Sequence, residues 1–294
     1  MKVLFRDLQL DDRELFRSYF LKKQYPHSQY NFTNLYMWKH MMQTKYAVIG
    51  DFLCITGTAR DGRPMAMYPV GTGDIAEPVE ALLSHFGSGL LFVILDDAMV
   101  EELTSILDRP YEVLDRRDSY DYVYKSETLI TLSGKKLHAK RNHINKFKSL
   151  YSYEYRNITE KLLPQCAALE KLWIERKEDL SERERQFEYE ATMRVIDHFE
   201  ELGCRGGILF VDGNPAAFSI GEMMTEDTAL IHIEKANTDY EGSFTFINQQ
   251  VCEHEFSQAA FINREEDMGL EPLRKAKLSY RPERLNVAKH VVIK

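Results

Sequence analysis

The fold of this chain is decided by residues 207–256, which read GILFVDGNPAAFSIGEMMTEDTALIHIEKANTDYEGSFTFINQQVCEHEF. The tetrapeptide Asp212-Gly213-Asn214-Pro215 separates two apolar runs, and its composition is typical of a tight hairpin turn. A second turn, Tyr240–Ser243, precedes a helical pattern over Phe244–Phe256. Three consecutive antiparallel strands are therefore predicted before this helix: Gly207–Val211, Ala216–Met224 and Thr228–Ala236.

The flanking sequence extends this pattern in both directions. Upstream, Tyr151–Ile158 alternates as a strand, and two helical segments follow at Leu163–Lys177 and Arg185–Leu202. Downstream, Ala259–Asn263 is strand-like and Leu270–Lys277 is a basic helix. The second half of the chain is thus predicted to be a mainly antiparallel sheet with helices packed against it.

The first half also alternates helical and strand patterns. A chain of 294 residues fits two domains, which we place at residues 1–130 and 131–294, each of mixed α/β (α+β) class. The predicted helices are Asp11–Lys22, Phe32–His40, Glu77–Phe86 and Met99–Leu107, and the predicted strands are Tyr46–Ile49, Phe52–Thr58, Met65–Val70, Leu90–Leu95, Tyr111–Leu114 and Tyr120–Lys125.

Composition restricts the function classes. A formal net charge of −8 gives no general attraction to DNA or to anionic lipid. The four cysteines are far apart, so neither a zinc site nor a disulfide framework is expected, and we predict no bound metal. The longest apolar run near the middle, Leu90–Leu95, is far shorter than a membrane helix. We expect a cytoplasmic protein that is not embedded in the membrane.

One basic tract, residues 134–148, interrupts the acidic background between the halves. It contains six Lys or Arg residues and no acid, and its apolar positions follow helical spacing. Lys135, Lys140 and Arg141 would bind a polyanion there, such as coenzyme A phosphates, a tRNA backbone or a lipid headgroup. The other interpretation is a solvated connecting helix.

Two stretches resemble a bacterial family of the DUF2156 type, which is related to the C-terminal domain of phosphatidylglycerol lysyltransferase. They are LSGKKLHAKRNHINKF, residues 132–147, and NREEDMGLEPLRKAKLSYRP, residues 263–282. The order of predicted elements is also similar to the GNAT acyltransferase superfamily, and two such units in one chain resemble the Fem-type peptidyltransferases. The resemblance implies two tandem GNAT-like domains.

The resemblance further implies a donor site between the fourth and fifth strands of the second domain. There the strands part, so Ile233, Lys235 and Ala236 would offer unpaired main-chain groups to the arm of acyl-CoA. The turn with Gly242 and Ser243 would bind pyrophosphate, although Glu241 and Phe244 depart from the usual turn. Asn263, at the end of the fifth strand, is either a ligand to the acyl group or a turn residue.

Transfer of an acyl group also requires a base for the attacking group. Glu222, Glu234 and His232 are candidates on neighbouring strands, and each is alternatively an ordinary polar strand residue. Near the last helix, Arg274 or Lys277 would stabilise developing negative charge, and Tyr280 follows closely as a further candidate.

We therefore expect an N-acyl or aminoacyl transferase. The donor would be acyl-CoA or aminoacyl-tRNA, without a metal, and the acceptor would be an amine or hydroxyl of a small molecule or lipid headgroup. The alternative is a non-catalytic ligand- or partner-binding module on a degenerate acyltransferase fold. Strands that separate in the second domain would favour the enzyme.

Overall fold

The computed structural model describes residues 3–177 and 180–294. The chain forms two compact units, the first of Met1–Asp121, Glu266–Leu270 and Leu285–Lys294, and the second of Tyr122–Glu265 and Glu271–Arg284. Each unit is therefore assembled from separate stretches of sequence, whereas the sequence patterns suggested two continuous halves that meet at residue 130.

The first unit contains a seven-stranded sheet in the order β1-β2-β3-β4-β5-β14-β6. Its β2–β3 hairpin turns at Gly50-Asp51, as the sequence predicted, and β4 and β5 pair in parallel. The strands are β1 Arg6–Asp7, β2 Lys45–Ile49, β3 Phe52–Thr58, β4 Pro64–Met67, β5 Leu91–Leu95, β6 Tyr111–Asp115 and β14 Lys289–Ile293, and the helices are α1 Arg13–Phe20, α2 Phe32–Met37, α3 Lys39–Met42, α4 Ala76–Phe86 and α5 Asp97–Ser105.

Aromatic packing joins the helices of the first unit to its sheet. Phe16 on α1 is fully buried, and its ring lies edge-on to Phe32 at 5.5 Å and to Tyr46 at 5.0 Å between centroids. Such edge-to-face pairs add to the free energy that burial of the rings already supplies. The helix predicted at Asp11–Lys22 thus packs its Phe16 side chain against the sheet.

The second unit contains a seven-stranded sheet in the order β13-β7-β12-β11-β10-β9-β8. Within it β11 and β12 pair in parallel, while β12 with β7, and β8 to β11 in succession, pair antiparallel. The strands are β7 Asp121–Lys125, β8 Tyr153–Asn157, β9 Arg205–Val211, β10 Asn214–Met223, β11 Thr228–Ala236, β12 Phe261–Asn263 and β13 Arg284–Asn286, and the helices are α6 Ser126–Thr131, α7 His138–Leu150, α8 Leu163–Glu175, α9 Glu182–Asp197, α10 Ser243–His254 and α11 Glu271–Leu278.

Strands β7 and β14 differ from the sequence prediction, and the short strands β1 and β13 were also not predicted. Tyr120–Lys125 was expected to close the first domain, but β7 belongs to the second sheet, where Val123 pairs with Asn263. The C-terminal strand β14 was not predicted, and it lies between β5 and β6 of the first sheet. Both assignments depend on pairing with strands far away in the sequence, which periodicity alone does not report.

The start of α10 is held tightly against α7. Gly242 precedes α10 with a φ angle of 89°, a left-handed conformation that favours glycine. A Cβ atom at this position would lie 2.6 Å from the carbonyl oxygen of His143. Below this contact, Phe147 of α7 packs on Phe246 of α10 with 5.0 Å between ring centroids. The basic tract is therefore a helix packed on its apolar side, preceded by a short 3-10 turn at Lys135–Leu137.

Across residues 3–177 and 180–294, no helix combines the length and the apolar content that crossing a bilayer requires.

Candidate functional site

The parallel pair β11–β12 separates after a short contact. Pairing covers Thr228–Leu230 of β11 and Phe261–Asn263 of β12, whereas β11 continues to Ala236. After β12 the chain stays with β7, because the Arg264 N–H donates to the Tyr122 carbonyl at 3.0 Å. In the described part of the chain, Ile231–Ala236 therefore pairs with β10 on one side and with no strand on the other.

His232 occupies a β-bulge at the point of separation. Ile231 pairs with Gly221 and Ile233 pairs with Ile220, so His232 has no residue opposite it on β10. A Cβ atom on Gly221 would overlap the Leu230 carbonyl oxygen, which explains the glycine at this position. The His232 side chain is 0% exposed although the residue as a whole is partly exposed, so its main chain faces solvent. Bulges commonly redirect side chains next to functional sites.

The His232 imidazole lies between two carboxylates. Its Nε2 is 3.1 Å from Glu222 Oε1, and its Nδ1 is 3.1 Å from Glu265 Oε1. Carboxylates only accept hydrogen bonds, so an imidazole bonded to both is the doubly protonated form. Burial alone would lower the pKa of His232, but the hydrogen bonds with Glu222 and Glu265 outweigh it and raise the pKa to about 9.

This pKa changes the role expected for His232. At neutral pH the ring already carries both protons, so His232 is a buried cation and is poorly suited to be the base that the sequence suggested. Of the two carboxylates beside it, Glu222 retains 12% exposure and Glu265 retains 16%. Glu265 was not identified from the sequence, although it lies within the second family-like stretch.

A second ion pair bridges the gap two residues further along β11. Glu234 Oε1 accepts from Arg264 Nη2 at 2.9 Å, and its Oε2 accepts from Asn248 Nδ2 at 3.0 Å. Arg264 and Glu265 are consecutive residues that follow β12, and both reach back to β11. The gap between the strands is therefore lined by paired charges.

Two predicted site residues hold the backbone of this segment. Lys277 donates from Nζ to the carbonyl oxygens of Arg264 at 2.5 Å and Glu265 at 3.1 Å, and it is buried. Asn263 is also buried, and its Oδ1 accepts from the Glu265 N–H at 2.8 Å. Glu265 adopts a left-handed backbone conformation, with a φ angle of 54°. In this geometry Lys277 and Asn263 position Arg264 and Glu265 for their contacts with β11.

Tyr280 joins the gap to the basic helix α7. Its ring is 5% exposed, with Lys140 Nζ 3.9 Å and the Arg264 guanidinium carbon 4.9 Å from the centroid. Burial and the neighbouring Arg264 lower the pKa of Lys140 to about 8, against an opposing effect of Glu234. Burial raises the pKa of Tyr280. A cation pressed onto an aromatic face is attracted by the ring quadrupole.

Other predicted residues lie apart from this arrangement. Lys235 points to the opposite face of the sheet, where its Nζ is 2.5 Å from Glu188 and 3.7 Å from Glu170. Arg141 donates to the carbonyl oxygens of Leu132 and Gly134, so it closes the turn before α7. Ser243, which donates to the Asn237 carbonyl, and Lys135, which is exposed, also lie apart, whereas Ile233 and Ala236 are buried residues of the β11 segment that extends beyond β12.

The turn before α10 carries a compensated charge. Glu241, which departs from the usual pyrophosphate turn, lies 2.7 Å from Lys146 of the basic helix, and both side chains are about half exposed.

Among the described residues, no group of three or more His, Cys, Asp or Glu side chains is arranged to hold a metal ion.

Comparisons with known proteins place this geometry in context. Residues 22–289 match the family described as phosphatidylglycerol lysyltransferase, C-terminal. An uncharacterized protein of Mycoplasmoides gallisepticum is 26% identical over 197 residues, which are 65% of this chain and 62% of that protein. The chain thus spans less than two thirds of the length of the curated relative that it matches.

Solved structures extend the comparison to the fold. A conserved protein of unknown function from Bacteroides thetaiotaomicron is 34% identical, with a TM-score of 0.90 over 99% of this chain and 100% of that one. The C-terminal domain (DUF2156) of a putative lysylphosphatidylglycerol synthetase from Agrobacterium fabrum is 14% identical, with a TM-score of 0.66 over 96% and 91% of the two chains. A tandem GNAT protein from the clavulanic acid biosynthesis pathway is 11% identical, with a TM-score of 0.50 over 99% and 98%. The predicted fold class, two GNAT-like units, is confirmed.

Proposed function

Because the chain belongs to the family of phosphatidylglycerol lysyltransferase C-terminal domains, we propose that it is an aminoacyl transferase. The donor is an aminoacyl ester of tRNA, and the acceptor is a hydroxyl or amine on a small molecule or lipid headgroup. The observation that carries the proposal is the early separation of β11 from β12, after which no strand in residues 3–177 and 180–294 pairs with Ile231–Ala236 on the side away from β10.

An unpaired strand edge suits an extended donor. Main-chain N–H and C=O groups form strong hydrogen bonds, and a hydrogen-bond partner stabilises a group that would otherwise be unpaired. The Ile231–Ala236 edge provides such groups in a fixed order, and the exposed main chain of His232 lies among them. An N–H group aimed at the ester carbonyl would also stabilise the negative charge of the tetrahedral intermediate.

Proton transfer is assigned to Glu222. Its carboxylate is partly exposed, and one of its oxygens already contacts the His232 imidazolium. As the acceptor attacks the ester carbon, Glu222 takes the proton of the attacking group, and it returns that proton to the ribose hydroxyl when the ester C–O bond breaks. His232 remains protonated throughout, because each of its two ring N–H groups donates to a carboxylate, that of Glu222 or Glu265.

The basic helix α7 provides a surface for the phosphates of the donor. Lys135, Lys136, His143 and Lys148 are exposed along the tract. Such side chains bind phosphate backbones without reading sequence, and the binding weakens as salt increases. We therefore expect donor affinity to fall steeply between 50 and 200 mM salt.

A non-catalytic binding module is the second candidate. One observation favours it: both oxygens of Glu234 and both ring nitrogens of His232 already have partners within the protein. A site with satisfied groups needs no substrate to complete its hydrogen bonds. In this version the gap holds an aminoacyl or acyl donor without transferring the group.

The test is a transfer assay with Glu222→Gln. Purified protein would be incubated with tRNA charged with labelled amino acids, or with labelled acyl-CoA, and with amine, hydroxyl and lipid acceptors. We expect wild-type transfer from tRNA and a loss of about 10²–10⁴-fold in Glu222→Gln, the usual contribution of a general base. Glu226→Gln, an exposed residue in the turn after β10, is the matched control and keeps full activity. Absence of transfer from every donor, with donor binding retained, would establish the binding module instead.

A further inference from the structure

The ring of Tyr280 brings two cations together beside the gap. Lys140 Nζ lies 3.9 Å and the Arg264 guanidinium carbon 4.9 Å from the ring centroid, so the two charges are within about 9 Å of each other. Lys140 comes from α7, and Arg264 follows β12. The fold thus assembles this pair from residues far apart in the sequence.

The carboxylates near these cations do not balance them. Glu234 pairs with Arg264 at 2.9 Å, and its other oxygen is occupied by Asn248. Within the described residues, the Lys140 ammonium has neither an ion pair nor a hydrogen bond, and its contact is the face of the Tyr280 ring. Lys140, Arg264 and Glu234 together carry one uncompensated positive charge.

Two buried polar atoms next to this charge also have no hydrogen-bond partner among the residues that the structure describes. They are Nη1 of Arg264, a donor on a side chain that is 11% exposed, and Oδ1 of Asn248, an acceptor on a buried residue. Leaving such atoms unsatisfied is unfavourable, more so for a charged group, so most buried polar atoms of native proteins have a partner. A cationic donor and a neutral acceptor call for a ligand with anionic oxygens and a hydroxyl.

We propose that Lys140, Arg264 and Asn248 form a binding site for a phosphate group that carries, or lies next to, a hydroxyl. Its anionic oxygens bind Lys140 and Arg264, and the hydroxyl donates to Asn248. The site deepens the proposed function, on which its role in transfer rests. It would place a phosphate of the donor or the acceptor beside the free edge of β11.

The electrostatic state of Lys140 agrees with a site for an anion. Burial and the charge of Arg264 lower the pKa of Lys140 to about 8, so part of the population loses its proton at mildly alkaline pH. A phosphate beside Nζ would reverse this shift, because an opposite charge favours the ammonium form. Phosphate binding would therefore be tightest below pH 8. Its affinity would fall less with increasing salt than that of an exposed contact, since buried charges are screened weakly.

The experiment compares phosphate binding in three variants. Lys140→Met removes the charge, Lys140→Arg restores it, and Lys171→Met is the control, since Lys171 is an exposed lysine of α8 outside the basic tract. Calorimetric titrations would use inorganic phosphate, adenosine 5′-monophosphate and glycerol 3-phosphate. These ligands distinguish a free phosphate site from a nucleotide and from a lipid-headgroup source. We expect the dissociation constant to rise at least tenfold in Lys140→Met, and to change less than twofold in Lys140→Arg and Lys171→Met.

NMR titration of the Lys140 ammonium supplies a second measurement that does not depend on activity. Saturating phosphate should move the pKa of Lys140 upward from about 8. Equal phosphate binding by wild type and Lys140→Met, or no binding by a folded wild type, would overturn the site. Transfer activity in a protein that binds no phosphate would reject the site and leave the proposed function standing. Lys140-dependent phosphate binding without any transfer would support the site and reject the proposed function.

Discussion

His232→Gln should remove a pH-dependent part of the stability of this protein. In the folded state, the pKa of His232 is raised to about 9, whereas the ordinary value is 6.5. Each pKa unit corresponds to about 1.4 kcal/mol, so a protonated His232 contributes about 3 kcal/mol to the free energy of unfolding. Its side chain is 0% exposed and those of Glu222 and Glu265 are 12% and 16% exposed, so solvent screening reduces this little.

The sign follows from proton linkage. Because the folded pKa is above the unfolded one, the contribution is fully present below pH 6.5 and is lost as pH rises through 9. Glutamine does not titrate, so His232→Gln lacks this dependence. The difference in stability between wild type and variant should therefore shrink by about 3 kcal/mol between pH 6 and pH 10.

Urea unfolding at several pH values measures this difference directly. Comparing two proteins that share every other titrating group cancels the contributions of those groups, including Lys140. His143→Gln, on the exposed face of α7, is the control and should give a constant difference from wild type. A constant difference for His232→Gln, or an imidazole that titrates below pH 7 by NMR, would refute the bridged imidazolium.

Two further predictions concern the second unit. Burial, against the opposing effect of Lys235, raises the pKa of Glu170 from 4.5 to about 7, so the contribution of Glu170 to stability falls as pH rises from 4.5 through 7. Glu170→Gln should therefore be more stable than wild type by about 2–3 kcal/mol at pH 8 but not at pH 4, as measured by chemical unfolding. Gly242→Ala should lower the free energy of unfolding by about 2–4 kcal/mol in calorimetry, because the alanine would have a strained φ of 89° and a clash with the His143 carbonyl. In the control Gly213→Ala, φ is 80° but the space around the residue is open, so the loss should be about 1–2 kcal/mol.

Much of the local structure was accessible from the sequence. The strand pattern before Gly242 and the helix after it appear where the periodicity places them, as does the turn at residues 212–215. Glu222, His232 and Glu234 were recognised as polar residues on neighbouring strands, and the structure brings them to one gap. The position of Lys140 beside that gap was not predictable, because it requires the packing of α7 against α10.

The roles of individual residues were less predictable than their positions. His232 has the ordinary pKa of a base only when isolated, and two carboxylates convert it into a cation. Lys277 has the chemistry of a charge-stabilising residue, yet its ammonium is used by two carbonyl groups. A sequence lists side chains without their partners, and the partners decide the protonation state and the availability of each group.

The sequence by itself determined the fold class and most of the strands and helices, because these depend on hydrophobic periodicity and on turn residues within short windows. Only the tertiary structure decided which sheet β7 and β14 join and which charges meet. Glu265 reaches His232 across 33 residues, and Arg264 reaches Glu234 across 30. These pairings depend on where β11 and β12 separate, which is set by the packing of the whole unit rather than by any local pattern.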